Sequence, residues 1–390
     1  MKIRYMLLHA YGMGGTIRTV ISQANAMASL GHEAEIVSVV RRRDEPQFAI
    51  DPRVSLTTLA DQRDGVPEDG LGRRAWRRIR GKIVPHGEFA ARYFTEAVER
   101  AAIGYVASLR DGVLVTTRPA LNLIAARRGH KSVVRVAQEH MSLDAYREGV
   151  RHDIARYYGA FDAIAVLTRT NLREFRRLFP RGPIMRIPNA VEAGDGRHSS
   201  GRNPVVAAAG RLVAQKGFDM LIPAFAQVAR RHPEWRLRVF GTGPKKAALA
   251  ALIEEHGLGD HVTLMGRSTT LQDELADASV YALSSRFEGL PMVMIEAMTH
   301  ALPVVAFDCP TGPADVLTHG RDGLLVPPGD VDALAAALDR LVADRDLRVR
   351  MGAAAAATAA DYAPEVVMPL WEHLFEELLA GAPVGGSRWA

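Results

Sequence analysis

The stretch 285–296, SRFEGLPMVMIE, sets two glutamates, Glu288 and Glu296, on either side of a Gly-Leu-Pro corner. Glu296 stands among Val293, Met294, Ile295, Ala297 and Met298, and an ionised carboxylate so enclosed needs a partner. The vicinal hydroxyls of a ribose, each donating to one carboxylate oxygen, would satisfy it. Glu288 precedes Pro291, which suits the first position of a helix because its missing N–H costs nothing there. A carboxylate at that mouth either answers the helix dipole or, with the unpaired N–H groups of the helix start, holds hydroxyls of a second sugar.

A matching set of cations lies upstream. In GRLVAQKGFD, Arg211 and Lys216 follow the strand-like run PVVAAAG, so both fall in a loop at a strand's carboxyl end. A guanidinium fork and an ammonium side by side suit a diphosphate whose bond is breaking; two surface cations are the alternative. Near the N-terminus, HAYGMGGTIRTV places Gly12, Gly14 and Gly15 ahead of a helical pattern, where a backbone can approach phosphate or simply turn. Ile17 breaks the G-x-G-x-x-G dinucleotide fingerprint, and the second strand-like run ends in SVVRRR without a ribose-binding acid, which disfavours a nicotinamide-dependent dehydrogenase. Asp330-Val331-Asp332 and Asp344-Arg345-Asp346 match the D-x-D string of metal-dependent transferases. Each precedes a helical run, however, and reads as a cap. No metal or other cofactor is expected.

The elements that must position these residues are legible as alternation. Thirteen short runs rich in Val, Ile and Leu, seven before residue 192 and six after residue 203, alternate with helical patterns. This predicts an α/β chain of two Rossmann-like parallel-sheet domains. The polar, aperiodic stretch EAGDGRHSSGRNP is the seam. The expected organisation is an N-terminal Rossmann-like domain (1–191), a linker (192–204), a second Rossmann-like domain (205–361) and a C-terminal helical segment (362–390) long enough to pack back on the N-terminal domain or against the second. The carboxyl ends of the two sheets are expected to face each other across a cleft, where ligands of open α/β sheets bind.

The 390 residues carry a net charge of +5 and one cysteine, Cys309, so no internal disulfide is possible and a cytoplasmic location is expected. The N-terminal apolar stretch is too short for a signal peptide or a membrane span. Much of the positive excess sits in 72–82, GRRAWRRIRGK, either a solvated helix face or a patch for anionic lipid headgroups at the inner membrane face or for an acidic acceptor. No nucleic-acid-binding motif accompanies it.

Taken together, EGLP with a Glu eight residues after its own, the preceding G-R-L-x4-K-G and the N-terminal glycines resemble the retaining glycosyltransferases of family GT4, which have the GT-B fold. LGHEAEIVSV, IPNAV, VFGTGP and GRDGLLVPPGD extend the resemblance through most of the chain. It implies transfer of a sugar from a nucleotide-sugar donor, UDP-linked first and GDP-mannose second, to a hydroxyl of a cell-envelope glycan, glycopolymer or lipid-linked acceptor. By resemblance, Glu296 binds the ribose, Arg211 and Lys216 the diphosphate, and Glu288 with Gly289 and Leu290 the donor sugar. Gly14 and Gly15 approach the diphosphate, Arg267 begins the base-recognition loop, and His140 lies near the transferred sugar. Glu139 beside His140 departs from the family's commoner His-Asp pair, and Ile17 from a common Glu. A sugar-nucleotide 2-epimerase and a non-catalytic nucleotide-sugar-binding module share the layout and remain alternatives.

Overall fold

Strand β1 (Lys2–Leu7) is buried on both faces. Ile3, Tyr5 and Leu7 enter one apolar cluster and Met6 the other, as a central parallel strand covered by helices on both sides requires. The structure is a computed structural model that describes residues 1–66, 83–85, 87–194 and 196–382. The basic segment 72–82 lies outside the described residues. Two units are distinguished: residues 1–190 with 367–390, and Val191–Val366.

In the first unit, β1, β2 (Glu33–Arg41), β3 (Ser55–Asp61), β4 (Val113–Thr116), β5 (Val134–Gln138), β6 (Ala163–Val166) and β7 (Ile184–Arg186) form a parallel sheet in the order β3-β2-β1-β4-β5-β6-β7. Helices α1 (Gly15–Ser29), α2 (Glu96–Ser108), α3 (Pro119–Arg128), α4 (Glu148–Tyr157) and α5 (Arg169–Leu178) link the strands. The amphipathic stretch near the C-terminus forms helix α13 (Pro364–Leu379). Its Val367, Met368, Trp371, Leu374 and Phe375 fill the apolar cluster that holds Val20, Ile21, Ala24 and Met27 of α1, and Glu372 meets His32 at 2.8 Å.

In the second unit, β8 (Val205–Ala209), β9 (Arg236–Phe240), β10 (Val262–Gly266), β11 (Val280–Leu283), β12 (Val304–Phe307) and β13 (Gly323–Val326) form a second parallel sheet, β10-β9-β8-β11-β12-β13. Each of the thirteen apolar runs contains one strand. The intervening helices are α6 (Phe218–Arg231), α7 (Lys246–Glu255), α8 (Leu271–Asp277), α9 (Met292–Thr299), α10 (Pro313–Val316), α11 (Val331–Ala343) and α12 (Arg345–Ala359). The polar stretch after residue 191 is stitched to this unit: Ser199 N donates to His300 O at 2.8 Å, and the buried Arg348 donates to Gly201 O at 2.8 Å. In both sheets the chain reverses direction of travel, between β1 and β4 and between β8 and β11. The strand-end loops diverge there and leave the crevice in which such sheets bind ligands.

Candidate functional site

At the reversal point of the second sheet, the loop after β8 carries Arg211 and Lys216 and the loop after β11 carries Glu288. Because β8 and β11 are hydrogen-bonded neighbours, residues far apart in sequence meet: Lys216 Nζ lies 2.6 Å from Glu288 Oε1. The approach needs Gly217. Its φ is +64°, and a Cβ there would stand 1.9 Å from Ser284 O, so no other residue lets the two loops touch. Ser284 Oγ donates to Lys216 O at 3.0 Å and Ser285 Oγ to Glu288 Oε1 at 2.5 Å. Arg286 closes the same seam, bonding both oxygens of Asp219 at 2.9 and 2.7 Å and Ala214 O at 2.6 Å, and its hydrogen bonds hold the Asp219 carboxyl below its usual range. Gly312, at φ +101°, would bring a Cβ to 2.8 Å from Gly289 O, so the Glu288-Gly289-Leu290 backbone is packed against a position that also favours glycine.

Pro291 is the cap of α9 rather than its first residue, one position earlier than its sequence role suggests. Glu288 therefore turns to Lys216, and no side chain caps that helix. Glu296, on the first turns of α9, is 4% exposed and accepts a hydrogen bond from Gln272 Nε2 at 3.3 Å. Gln272 Oε1 in turn lies 2.7 Å from His300 Nε2. Burial first, then the charges of Glu288 and Glu296, hold the Tyr281 hydroxyl well above its usual pKa, which puts both glutamates in one neighbourhood under β11. Arg211 is exposed in the Lys216 loop, and its guanidinium makes no hydrogen bond or ion pair among the described residues. Arg267 follows the edge strand β10, exposed and equally without a bond among the described residues.

The other sequence-derived residues lie in the first unit. Gly14 caps α1 and Gly15 begins it; a Cβ at either would meet nothing within 4 Å, so the space in front of them is open. His140 follows β5 and lines a cavity of about 270 Å³ with His9, Arg42, Glu88, Arg118 and Tyr146. Its Nε2 is buried with no hydrogen-bond partner among the described residues, and burial, then Arg118, bring its pKa down to about 4. The ring is neutral at physiological pH. Arg118 Nε and Nη2 both lie 2.8 Å from Glu88 Oε1, while Ala90 N donates to Oε2 at 2.5 Å. Glu139, next along the chain, is buried and accepts from Tyr158 (2.6 Å) and Asn122 (2.7 Å) on one oxygen and from Tyr146 (2.7 Å) on the other. Burial pushes its carboxyl up to about 7 against those three donors.

Sequence reasoning missed Ser285, Gln272, Glu88, Arg118 and Tyr146. Only Ser285 carried a signal, its place in the quoted SRFEG run; the others meet the site through tertiary approach alone. The D-x-D pairs behave as caps, Asp330 accepting from Ala333 N at 2.9 Å and Asp344 from Leu347 N at 2.8 Å. Among the described residues no cluster of His, Cys, Asp and Glu is placed to hold a metal ion, and no helix is long and apolar enough to cross a membrane.

Comparison with known proteins fits this geometry. Residues 196–358, which contain Arg211, Lys216, Glu288 and Glu296, match the family of glycosyl transferases group 1. An exopolysaccharide phosphotransferase of Streptomyces coelicolor is 36% identical over 97% of this chain, which spans only 41% of that relative's length. The amylovoran biosynthesis glycosyltransferase AmsD of Erwinia amylovora is 30% identical over 68% of this chain and 77% of its own. In fold, the chain superposes on Staphylococcus aureus TarM, solved with fondaparinux, α-GlcNAc-glycerol and UDP, with a TM-score of 0.76, 17% identity and coverage of 96% of this chain and all of that one. Two parallel-sheet domains of the GT-B type, carrying a group 1 sequence match over the paired Lys216–Glu288 loops, make this chain a member of the group 1 glycosyltransferase family.

Proposed function

We propose that the protein is a retaining glycosyltransferase that moves a sugar from a nucleotide donor, a UDP-sugar first, to a hydroxyl of a cell-envelope glycan, glycopolymer or lipid-linked acceptor. The observation that carries this reading is the Lys216–Glu288 pair at the reversal point of the second sheet. There a cation suited to a diphosphate and a carboxylate suited to sugar hydroxyls share one position. TarM was solved with UDP, and two relatives are named for exopolysaccharide or amylovoran work, which supports the donor and acceptor classes. The names of these relatives do not favour the epimerase alternative.

In this reading Lys216 and Arg211 take the diphosphate, Glu288 with the backbone of Gly289 and Leu290 takes the sugar, and Glu296 takes the ribose. Arg267 adjoins the base. Gly14, Gly15 and His140 serve donor and transferred sugar from the first unit, whose cavity receives the acceptor. The bond from the anomeric carbon to the diphosphate breaks as the acceptor oxygen attacks from the same face, and the acceptor proton passes to a phosphate oxygen. Lys216 and Arg211 offset the charge that develops on the leaving group, so catalysis is positioning and electrostatics rather than covalent chemistry. No metal is required, and the enzyme works in the cytoplasm, peripheral to the inner membrane face where the acceptor is lipid-linked.

A thermal-shift panel of UDP-, GDP-, ADP- and TDP-sugars tests the donor, because a ligand that binds only the folded state raises its melting temperature. UDP-sugars are expected to give the largest rise, reduced in Glu296→Gln. Proton NMR of the product anomer tests retention. A panel without any stabilising nucleotide sugar overturns the reading.

A further inference from the structure

We infer that the first unit's cavity selects an acceptor carrying an anionic group, phosphate or carboxylate, held by Arg42 and Arg92. This rests on the glycosyltransferase reading, which it narrows to a substrate class.

Arg42 and Tyr93 both line the cavity. Arg42 Nη1 donates to the Tyr93 hydroxyl at 3.0 Å and Arg92 Nη2 to the same oxygen at 2.7 Å, and each guanidinium carbon lies 4.7 Å from the Tyr93 ring centroid. A hydroxyl has two lone pairs, so both are used, and the remaining N–H groups of two converging cations are left over. Neither arginine has a carboxylate at ion-pair distance among the described residues. Their neighbours differ: Arg63 is paired with Asp44 and Asp61, Arg118 with Glu88, and Arg41 stacks on Tyr11 at 5.1 Å while bonding Asp44 O.

Like charges that converge on one oxygen repel, and an anion lying across both forks removes that cost. Planar bidentate forks also suit phosphate and carboxylate oxygens better than an ammonium would. Among the described residues the one carboxylate that lines the cavity, Glu88, is already paired with Arg118. Both oxygens of Glu88 are occupied by Arg118 and Ala90 N, and those of Glu139 by Asn122, Tyr158 and Tyr146. On the same wall Phe89 stands 58% exposed, a ring face against which the carbon face of a sugar can pack. The buried Nε2 of His140, unpartnered among the described residues, adds a polar group without charge. The cavity thus combines an apolar platform, a neutral ring nitrogen and a doubly cationic rim, a set matched to a sugar bearing one anionic substituent.

The test is a ligand-observed NMR titration of the full-length protein at saturating UDP, with glucose, glucuronate and glucose 6-phosphate as probes. At least one anionic sugar is expected to bind about tenfold tighter than glucose, as for a charge-assisted hydrogen bond. The order of the two anions says whether phosphate or carboxylate is the natural group. Arg42→Gln and Arg92→Gln should each remove most of that advantage, and Arg42→Lys should keep part of it, with circular dichroism confirming the fold. Equal binding of all three sugars, an advantage abolished by UDP, or one that survives both glutamine variants would overturn the inference. Nothing turns over in this titration, so its result is independent of the nucleotide-sugar panel.

Discussion

The two units build their polar sites in opposite ways. In the second, opposite charges are paired with each other on strand-end loops, Lys216 with Glu288 largely buried and Arg286 with Asp219 exposed. In the first, burial acts on the two groups after β5, bringing the pKa of His140 down to about 4 and that of the Glu139 carboxyl up to about 7, while Arg118 and Glu88 pair on the cavity wall. A paired site can exchange its partner for a ligand of like charge at small cost, because the charge itself is already present. A desolvated site resists any change of charge and so holds a fixed, neutral shape. The first arrangement suits a diphosphate that gains charge as it leaves, the second a neutral imidazole held beside an acceptor whose anionic group is left to the arginines at the cavity rim.

Lys216→Met should break this comparison most severely. It removes the cation that the proposed reading sets against the leaving group and leaves Glu288 Oε1 with Ser285 Oγ alone. Transfer should fall about a thousandfold, and stability by about 2 kcal/mol, since one partner of a largely buried pair is lost. Adding Glu288→Gln should restore the stability measured in urea without restoring the rate. A double variant that recovers transfer would show that the pair is structural.

The two regions also differ in what their sequences disclose. The runs holding Arg211, Lys216, Glu288 and Glu296 were legible as compact strand-end loops of one sheet, and the strand pairing brings Lys216 and Glu288 to 2.6 Å. The thirteen strands were legible for a related reason, since parallel strands buried on both faces read as unbroken apolar runs. Glu139 was not. Along the sequence it looked like an altered partner of His140, yet it is engaged by Asn122, Tyr146 and Tyr158, donors that local spacing does not foretell. The Glu88–Arg118 pair and the Arg42–Tyr93–Arg92 contact were equally hidden, because each joins segments brought together only by the sheet. The packing of α13 against the first unit could not be decided by its amphipathic pattern, which says only that one face must be covered.

Stability measured against pH sharpens the contrast inside the first unit. Glu139 ordinarily titrates near 4.5, so as pH rises from 4.5 to 7 the unfolded chain ionises while the fold still holds the proton. Stability then falls, by at most about 3 kcal/mol. His140 acts in the other sense: as pH drops from 6.5 to 4 the unfolded chain takes a proton that the buried ring refuses, and stability is lost by a similar amount. In the wild type the two slopes oppose each other between 4.5 and 6.5. Glu139→Gln should therefore leave a curve that climbs with pH through that window, and His140→Asn one that descends. Urea unfolding at stepped pH measures both, and two variant curves parallel to the wild type would mean that neither group is desolvated.

The smallest effect separates two carboxylates of the second unit that stand just before helices. Asp344 accepts from Leu347 N at 2.8 Å and so satisfies an end of its own helix; Glu288 precedes α9 but turns its carboxylate to Lys216 instead. The first spends its charge on local structure and the second on a cation of another loop, although both were written in the sequence as acids ahead of a helical run. Asp344→Ala should lower stability by about 1 kcal/mol, the usual cost of a lost cap, and leave transfer at the wild-type rate when both proteins are assayed well below their melting temperatures. If instead Asp344→Ala lost transfer without losing stability, the D-x-D string would be chemical rather than structural, and the division between a capping acid and one paired across two loops would carry no functional meaning.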